Sequence, residues 1–519
     1  MKHLAILIAG ALPLAAAIDG AVRIDSGAIS GIPTSTPGIY VFRGIPYAAP
    51  PVGNLRWRAP RAVAKWDGVR KMDQFQARCV QPRRDNPKET QGDENCLYLN
   101  VWTPARAAGA KLPVMVWVHG GGFRDGTGAM LLHDGEELAK KGVVLVTINY
   151  RLGAIGFLAH PELTKESDRN ASGNYGLMDA VAALEWVQRN IGQFGGDPAK
   201  VTVFGQSAGS MAVSCLQASP LTKGLFRAVI GESGASFNAM LNNGTLADAE
   251  AKGEKFAASV GAKSLAELRA RPAAELVLAS FTPGPNTDGY VLPEPPRTIF
   301  QKGRQNRVAA LVGSNSDEGR LFARGQMTAK EFIEQAHQKY GDAAGEFLKL
   351  FPAGSDTQAR ESRQRSATQE SMALNMRIWA QEQVKSGQKA YIYLFTRMTP
   401  GGPPIDAQAE ALQLGAPHGE DLAYVFNNIG KPEALRNSST FRNSQPEAYD
   451  LKLADMVSSY WVNFATNLDP NGPGLPRWAP FESGKGDQVM ELGDKVGMRT
   501  HPDNAAIVFL EKHPARTAR

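Results

Sequence analysis

The segment 201–210, Val-Thr-Val-Phe-Gly-Gln-Ser-Ala-Gly-Ser, places a serine between an apolar run and a stretch typical of a helix. Glycines at 205 and 209 flank Ser207, and glycine lets the backbone turn sharply without a clash from a side chain. A serine on such a turn exposes its hydroxyl, and the amides at the start of the following helix face it. We therefore interpret Ser207 as a candidate nucleophile at the carboxyl end of a buried strand.

Apolar runs of the same kind recur along the chain and end in loops with unusual composition. They lie at 114–118, 143–148, 308–312 and 390–395. Continuous apolar runs without alternation are typical of buried strands in a mostly parallel sheet. Apolar residues at three- to four-residue steps over 177–191 predict an intervening helix. The pattern predicts an α/β fold with helices on both faces of the sheet, and chemistry beyond the carboxyl ends of its strands.

The N-terminal stretch 1–17 has the layout of a secretory signal peptide. Lys2 precedes an uncharged apolar run over 4–17 that ends in three alanines, which is the expected order of regions. The run is too short to span a bilayer, and no later segment resembles a membrane-spanning helix. We expect export to a bacterial periplasm or medium. We also expect a single catalytic domain over 18–519, with a mainly helical insertion at about 238–388 that shapes the site.

Composition and cysteine content narrow the class of protein. With 43% hydrophobic and 21% charged residues, the chain is an ordinary globular protein. The net charge of +6 comes from dispersed side chains, so we expect no nucleic-acid partner. Export would permit a disulfide among Cys79, Cys96 and Cys215. Cys215 lies among apolar and small residues and is interpreted as a buried, inert thiol.

A second glycine-rich loop, 119–122 (His-Gly-Gly-Gly), follows the apolar run at 114–118. Acyl transfer develops negative charge on the former carbonyl oxygen, and preorganised backbone amides stabilise that charge. Gly121 and Gly122 can present their amides without interference from side chains, and the amide of Ala208 would be a third donor. We interpret His119 as a structural residue that positions this loop.

A serine nucleophile needs a base and an acid that orients the base. Of the eight histidines, His418 lies in a turn-rich loop after the run at 390–395, where it can reach the carboxyl edge of the sheet. The acid is expected between serine and histidine in chain order. Both Asp317 and Glu318 follow the run at 308–312, and the residue pattern alone leaves the choice between them open.

Taken together, these segments resemble the type B carboxylesterase family, the cholinesterase-like branch of the α/β-hydrolases. The segment 204–210 resembles the nucleophile signature of the family, and 94–102 resembles its second signature. Segments 44–48 and 50–53 are also similar to the family. The resemblance implies an α/β-hydrolase fold. It also implies hydrolysis of small-molecule carboxylic esters through an acyl-enzyme, without a metal or an organic cofactor.

The resemblance also implies roles for individual residues. It implies Glu318, rather than Asp317, as the acid and His418 as the base. It implies a disulfide between Cys79 and Cys96. The remaining implied features are buried ion pairs Arg56–Glu94 and Arg151–Asp179, Ser233 close to the triad, and an acyl pocket lined by Phe281, Leu321 and Phe322. Gln206, immediately before Ser207, is also expected close to the triad.

The chain departs from the cholinesterases of the family at two places. They carry glutamate immediately before the nucleophile, whereas this chain has Gln206. Their choline site uses a tryptophan inside the first disulfide loop, and no tryptophan lies between Cys79 and Cys96. A quaternary ammonium group would therefore lack its aromatic partner, and we expect that acetylcholine is not the substrate.

Two other functions are compatible with this fold. The first is a catalytically silent binding module, since fold alone does not define function; the complete set of triad candidates favours an enzyme. The second is hydrolysis of carbamates, amides or thioesters, because the same triad supports every acyl transfer. Amides rank low because their leaving group needs stronger protonation. The acyl preference is not defined by sequence, although Phe281 indicates a short or aromatic acid.

Overall fold

The computed structural model describes residues 18–238, 242–323, 325–400, 415–436, 441, 443–484 and 487–515. The predicted signal peptide at 1–17 lies outside the described residues. No helix in these ranges is long and apolar enough to cross a membrane.

Strands and helices are numbered in chain order within the described ranges. The strands are β1 (Ala21–Ile24), β2 (Gly27–Ser30), β3 (Ile32–Pro33), β4 (Tyr40–Pro46), β5 (Val69–Lys71), β6 (Gln81–Pro82), β7 (Thr90–Gln91), β8 (Tyr98–Thr103), β9 (Leu112–Val118), β10 (Val144–Ile148), β11 (Gly196–Gln206), β12 (Ala228–Glu232), β13 (Ala309–Asn315), β14 (Ala390–Phe395), β15 (Gln488–Leu492) and β16 (Val496–Thr500). The helices are α1 (Glu136–Lys140), α2 (Gly153–Phe157), α3 (Pro161–Glu166), α4 (Tyr175–Asn190), α5 (Ala208–Ala218), α6 (Leu246–Ser259), α7 (Leu265–Ala270), α8 (Ala273–Leu278), α9 (Pro296–Gln301), α10 (Gly319–Phe322), α11 (Ala329–Tyr340), α12 (Ala344–Leu350), α13 (Asp356–Thr368), α14 (Leu374–Lys385), α15 (Leu422–Val425), α16 (Pro432–Arg436), α17 (Ala448–Asn467) and α18 (Asn504–Lys512).

A mixed sheet of eleven strands forms the centre of the described chain. Its order is β16-β15-β14-β13-β12-β11-β9-β10-β8-β4-β3. The strands from β10 to β15 run parallel to their neighbours, and antiparallel pairs close both ends. The apolar runs at 114–118 and 390–395 fall in β9 and β14, and the runs at 143–148 and 308–312 begin one residue before β10 and β13. The predicted mostly parallel sheet is therefore confirmed.

Helices cover both faces of this sheet and bury separate cores. In β9, Val114, Val116 and Val118 belong to a core that includes side chains of α4, α5 and α14. Met115 and Trp117 point to the opposite core, which includes side chains of α17. Because each face of the strand meets apolar side chains, every position of the run is apolar, as expected for a sheet buried on both sides.

The segment predicted as a mainly helical insertion, 238–388, contains α6 to α14 and one strand, β13. Strand β13 lies inside the central sheet between β12 and β14. Helices α6, α7 and α8 share a small core with α2 and α4. Helices α11, α12 and α18 share another. The segment therefore both adds helices around the sheet and supplies one of its central strands.

Covalent and ionic links hold the loops around the sheet. Cys79 and Cys96 form a disulfide, which confirms the implied pairing, and Cys215 is a buried free thiol. The guanidinium of Arg151 donates to both carboxylate oxygens of Asp179 at 2.8 and 2.7 Å, and both side chains are almost fully buried. Removing one partner of such a pair leaves an uncompensated charge in the interior.

The first prediction concerns this buried pair. Arg151→Met should lower the free energy of unfolding by about 3–5 kcal/mol, because Asp179 loses its counter-ion. Arg189→Met, which opens an exposed pair with Asp25, should cost at most about 1 kcal/mol. Urea denaturation midpoints of the two variants provide the comparison. Equal midpoints would show that the buried pair does not stabilise the fold as described.

Candidate active site

The backbone turns sharply at Ser207, between β11 and α5. Ser207 has φ 58° and ψ −127°, a left-handed conformation that is unfavourable for a residue with a side chain. Its amide donates to the carbonyl oxygen of Glu232 on the neighbouring strand at 2.8 Å. A Cβ atom at Gly209 would lie 2.1 Å from the carbonyl oxygen of Val118, so this close approach requires glycine. The turn is therefore held by backbone packing on both sides.

The glycine-rich loop lies directly against this turn. A Cβ atom at Gly120 would lie 3.1 Å from Cβ of Ser207. Gly121 and Gly122 have φ values of 106° and 63°. Among the described residues, the amides of Gly121, Gly122 and Ala208 donate to no protein acceptor. The three predicted oxyanion donors are therefore available for a hydrogen bond with a bound molecule.

His119 anchors the glycine-rich loop through contacts with Gly120 and Tyr150. Its Nδ1 donates to the carbonyl oxygen of Gly120 at 2.8 Å, and its ring stacks on Tyr150 at 4.5 Å between centroids. The hydroxyl of Tyr150 donates to the carbonyl oxygen of His119 at 2.8 Å. Burial lowers the pKa of His119 to about 4, so the imidazole is neutral near pH 7. These contacts agree with a structural role for this histidine.

The two acids that sequence left open have different partners. The Nδ1 atom of His418 donates to Oε2 of Glu318, and the amide of Asn315 donates to Oε1 of Glu318 at 2.7 Å. Asp317 instead pairs with the guanidinium of Arg320. Glu318 is fully buried. Of the two acids, Glu318 is the one in contact with the candidate base.

The second ring nitrogen of His418 contacts the residue that precedes Ser207. Nε2 of His418 lies 3.1 Å from Nε2 of Gln206. Because Nδ1 donates to Glu318, a neutral ring carries its lone pair on Nε2, and the Gln206 amide donates to it. Within the described residues no hydrogen bond joins His418 to Ser207. The structure thus brings the imidazole to the residue beside the candidate nucleophile, with a glutamine amide as its present partner.

Side chains that sequence reasoning missed surround the acid and the base. The side-chain amide of Asn315 donates to the carbonyl oxygen of Pro417 at 2.7 Å and to Asp421 at 3.2 Å. The hydroxyl of Tyr393 donates to Asp421 at 2.9 Å. Burial, and then the charge of Glu318, raises the pKa of Asp421. The available signal was the position of Asp421, which follows His418 by three residues in the same loop.

Ser233 and its neighbour lie behind the turn at Ser207. Ser233 has φ 54°, is fully buried, and its amide donates to the carbonyl oxygen of Gly313 at 2.8 Å. Its hydroxyl has no hydrogen-bond partner in the described structure. Glu232 accepts from the indole of Trp461 at 2.7 Å, and burial raises its pKa well above the usual range. Since Ser207 bonds to the carbonyl of Glu232, this segment supports the turn from behind.

The three residues suggested for an acyl pocket occupy different surroundings. The ring of Phe322 lies 5.6 Å from the ring of His418 in an edge-on arrangement. Leu321 and Phe322 are 43% and 41% exposed, which leaves apolar surface next to the base. Phe281 packs edge-on against Phe256 of α6, with centroids 5.2 Å apart. Phe322 is thus the member of the three in contact with the site.

The groups that converge at this edge of the sheet are a hydroxyl, an imidazole bonded to a buried carboxylate, and free backbone amides. These are the components of acyl transfer through a covalent intermediate. The described residues contain no group of three or more His, Cys, Asp or Glu side chains able to hold a metal ion. The chain has the fold of an α/β-hydrolase: a mostly parallel sheet, helices on both of its faces and a strand-to-helix turn at Ser207.

Comparison with known proteins identifies the family. The family model described as Carboxylesterase family matches residues 19–510. The chain is 36% identical over 509 residues to a fumonisin B1 esterase from Sphingopyxis macrogoltabida, covering 94% of this chain and 90% of that protein. It is 32% identical over 512 residues to a cocaine esterase from Homo sapiens, covering 91% and 87%. The chain belongs to the carboxylesterase family.

A solved structure supports the same assignment at the level of the fold. The crystal structure of a carboxylesterase from Geobacillus stearothermophilus matches with a TM-score of 0.79 at 30% identity, covering 94% of this chain and 99% of that chain. The protein is therefore a carboxylic ester hydrolase. Its relatives are esterases that act on small molecules.

Proposed function

We propose that this protein is a secreted serine esterase in which Ser207 forms the acyl-enzyme, His418 is the base and Glu318 orients that base. One observation carries the proposal. The imidazole of His418 is held by the buried carboxylate of Glu318, and its other nitrogen lies 3.1 Å from Gln206, the residue that precedes Ser207. A base oriented by an acid beside a serine on a strained turn is the arrangement that activates a hydroxyl.

In the first step the Ser207 hydroxyl attacks the ester carbonyl and His418 takes its proton. For this step, Nε2 of His418 must accept from the Ser207 hydroxyl in place of the Gln206 amide. The two donors belong to consecutive residues, so we propose that the imidazole or the glutamine reorients when substrate binds. Hydrogen bonds of catalytic groups are commonly long or misdirected without substrate and tighten when it binds.

The negative charge that develops on the carbonyl oxygen needs donors on the opposite side of the reacting carbon. The free amides of Gly121, Gly122 and Ala208 are proposed to supply them, because the loop of Gly120 packs on Ser207. Fixed amides require no reorganisation when the charge appears, and one such donor is worth about 3 kcal/mol. His119 would maintain the loop through its bond to Gly120.

The first half ends when His418 gives this proton to the departing alcohol and leaves the acyl-enzyme on Ser207. In the second half, water attacks the acyl carbon while His418 takes a proton from it. The bond from the acyl carbon to Oγ of Ser207 then breaks, His418 returns the proton to Oγ, and the acid is released. Glu318 stabilises the imidazolium that forms in both halves and keeps Nδ1 protonated. The hydrogen bond that the backbone amide of Asn315 donates to Glu318 holds the carboxylate in that orientation.

Substrate contacts are proposed from the apolar surface beside the base. The half-exposed side chains of Leu321 and Phe322 offer a face for an apolar part of the ester. Phe281 is proposed as a more distant wall of the same acyl pocket. The relatives named for fumonisin B1 and cocaine support a small-molecule ester as the substrate class.

Export is proposed from the N-terminal pattern at 1–17. The disulfide between Cys79 and Cys96 supports this proposal, since disulfides persist in oxidising compartments outside the cytosol. Intact-mass measurement of protein recovered from the periplasm or medium should give a chain that begins after residue 17. A full-length chain retained in the cytosol would contradict it.

The test of the proposed nucleophile combines covalent labelling with kinetics. A fluorophosphonate probe should label the native protein at Ser207, as located by peptide mass spectrometry. Ser207→Ala should lose the label and lower kcat for a 4-nitrophenyl ester by about 10⁴-fold or more, because the triad acts as a unit. Ser233→Ala should still be labelled at Ser207, since the Ser233 hydroxyl is buried behind the turn.

Two results would contradict the assignment. Retention of full ester hydrolysis by Ser207→Ala would exclude an acyl-enzyme at this residue. A native protein that is folded but neither labelled nor active would favour a catalytically silent binding module.

A further inference from the structure

Residues that follow the glycine-rich loop fold back onto it and carry charge. The amides of Arg124 and Asp125 both donate to the carbonyl oxygen of Gly121 at 3.0 Å. The carbonyl oxygen of Asp125 lies 1.9 Å from the position of a Cβ atom on Gly121, so this packing requires glycine. Arg124 and Asp125 are therefore fixed beside one of the three proposed oxyanion donors. Arg124 is exposed, and no ion pair of its guanidinium occurs among the described residues.

A second arginine reaches the same place from the disulfide loop. Arg84 lies between Cys79 and Cys96 in sequence, and its Nη2 atom donates to Oδ1 of Asp125 at 2.6 Å. Oδ1 of Asp125 is itself 3.0 Å from the Cβ position of Gly121. The side chain of Arg84 is about half exposed, at 53%. The guanidinium of Arg84 thus lies close to the glycine-rich loop, and part of it remains exposed to solvent.

A third arginine lies one residue before the disulfide and lacks a protein partner. Arg78 is half-buried, and no hydrogen bond or ion pair of its side chain occurs within the described ranges. Burial lowers the pKa of Arg78, the charge of Arg84 lowers it further, and the charge of Asp125 raises it. The one acid that acts on Arg78 is therefore already bonded to Arg84.

Among the described residues, one ion pair is made by this arginine cluster (Arg78, Arg84 and Arg124), that of Arg84 with Asp125. Within the disulfide loop, Asp85 and Glu89 pair with Arg83, and Glu94 pairs with Arg56. The carboxylate of Asp93 is exposed and accepts from the amide of Asn95 at 2.8 Å. Asp125 is therefore the acid that is bonded to Arg84 and that also acts on Arg78, and Arg124 precedes it in the chain.

On the side of the proposed base, the carboxylates are largely buried and have hydrogen-bond partners. Glu318 is bonded to His418, and Asp317 is paired with Arg320. The residue in contact with the free nitrogen of His418 is the neutral amide of Gln206. A substrate that approaches Gly121 therefore meets an excess of positive charge on one side and neutral or paired groups on the other.

We propose that the arginine cluster selects esters that carry a carboxylate close to the scissile bond. A guanidinium binds a carboxylate through two parallel, charge-assisted hydrogen bonds. A bound carboxylate would also reduce the repulsion between Arg78 and Arg84. The proposal rests on the proposed function, because Gly121 must border the reacting carbonyl for the arginines to lie near the substrate.

Two matched pairs of substrates, assayed with the enzyme that begins after residue 17, test the proposal. One pair carries the charge on the acyl side: mono-4-nitrophenyl glutarate and 4-nitrophenyl 4-carbamoylbutanoate. The other carries it on the alcohol side: 3-acetoxybenzoate and 3-acetoxybenzamide. Each pair differs only by replacement of a carboxylate with a neutral amide. In at least one pair the anionic ester should have a kcat/KM about tenfold higher or more. This preference should shrink when NaCl rises from about 20 mM to about 500 mM, because salt screens exposed charges.

Variants assign the preference to the cluster. Arg78→Gln and Arg124→Gln should each lower the anionic-to-neutral ratio of kcat/KM several-fold, mainly through a higher KM for the anionic ester. Arg78→Lys should retain part of the ratio because it keeps the charge. Arg23→Gln on β1 removes the same charge from an exposed residue outside the site, and it should leave both the ratio and the activity unchanged.

Arg84→Gln also breaks the ion pair with Asp125. If that ion pair has only a structural role, kcat should fall equally for the anionic and the neutral substrates. Arg78 and Arg124 make no ion pair among the described residues, so their variants test the charge preference without this effect. A wild-type enzyme without preference in either substrate pair would overturn the proposal, as would a preference that survives Arg78→Gln/Arg84→Gln/Arg124→Gln. Either result, with neutral esters still hydrolysed in a Ser207-dependent manner, would leave the proposed function standing.

Discussion

The turn at Ser207 is the constraint on which the rest of the site depends. Its left-handed backbone is held by the bond to the carbonyl of Glu232 and by the close approach of Gly209 to Val118. The central sheet supplies both contacts, since Glu232 and Val118 end strands on either side of β11. A strained conformation persists only where its surroundings over-determine it. The eleven-stranded sheet therefore holds the Ser207 hydroxyl, the start of α5 and the glycine-rich loop next to one another.

Charge is distributed unevenly around that point. Behind the sheet edge lie buried carboxylates, Glu318 with its imidazole partner and Asp421 with its tyrosine and asparagine partners. On the side of the glycine-rich loop lies the arginine cluster with Asp125 as its counter-ion. Buried negative charge suits a base that becomes an imidazolium, whereas positive charge at the opposite side suits an oxyanion and an anionic substrate. Both features therefore suit the proposed acyl transfer, in which positive charge develops on the imidazole and negative charge on the carbonyl oxygen.

Much of this arrangement follows from local sequence, and the remainder depends on contacts between distant segments. The strands, the turn at Ser207 and the disulfide have local or family signals, and the structure contains all three. The residue pattern left the choice between Asp317 and Glu318 open. The difference between them is that Asp317 pairs with Arg320, three residues further along the chain. The contact between Gln206 and His418 spans 212 positions, and no periodicity or motif predicts it. Arg78, Arg84 and Asp125 likewise meet only because two loops fold together.

We propose that the hydroxyl of Ser207, the imidazole of His418 and the amides of the glycine-rich loop act on one carbonyl group. A crystal structure of the protein after reaction with a small fluorophosphonate ester would test this arrangement, because the phosphonyl group mimics the tetrahedral intermediate. We expect a bond from phosphorus to Oγ of Ser207 and a phosphonyl oxygen that accepts from the amides of Gly121, Gly122 and Ala208. We also expect Nε2 of His418 to lie beside the modified oxygen instead of beside Gln206. A phosphonyl oxygen directed away from those amides, or an adduct on another residue, would show that these groups do not act together on one carbonyl group.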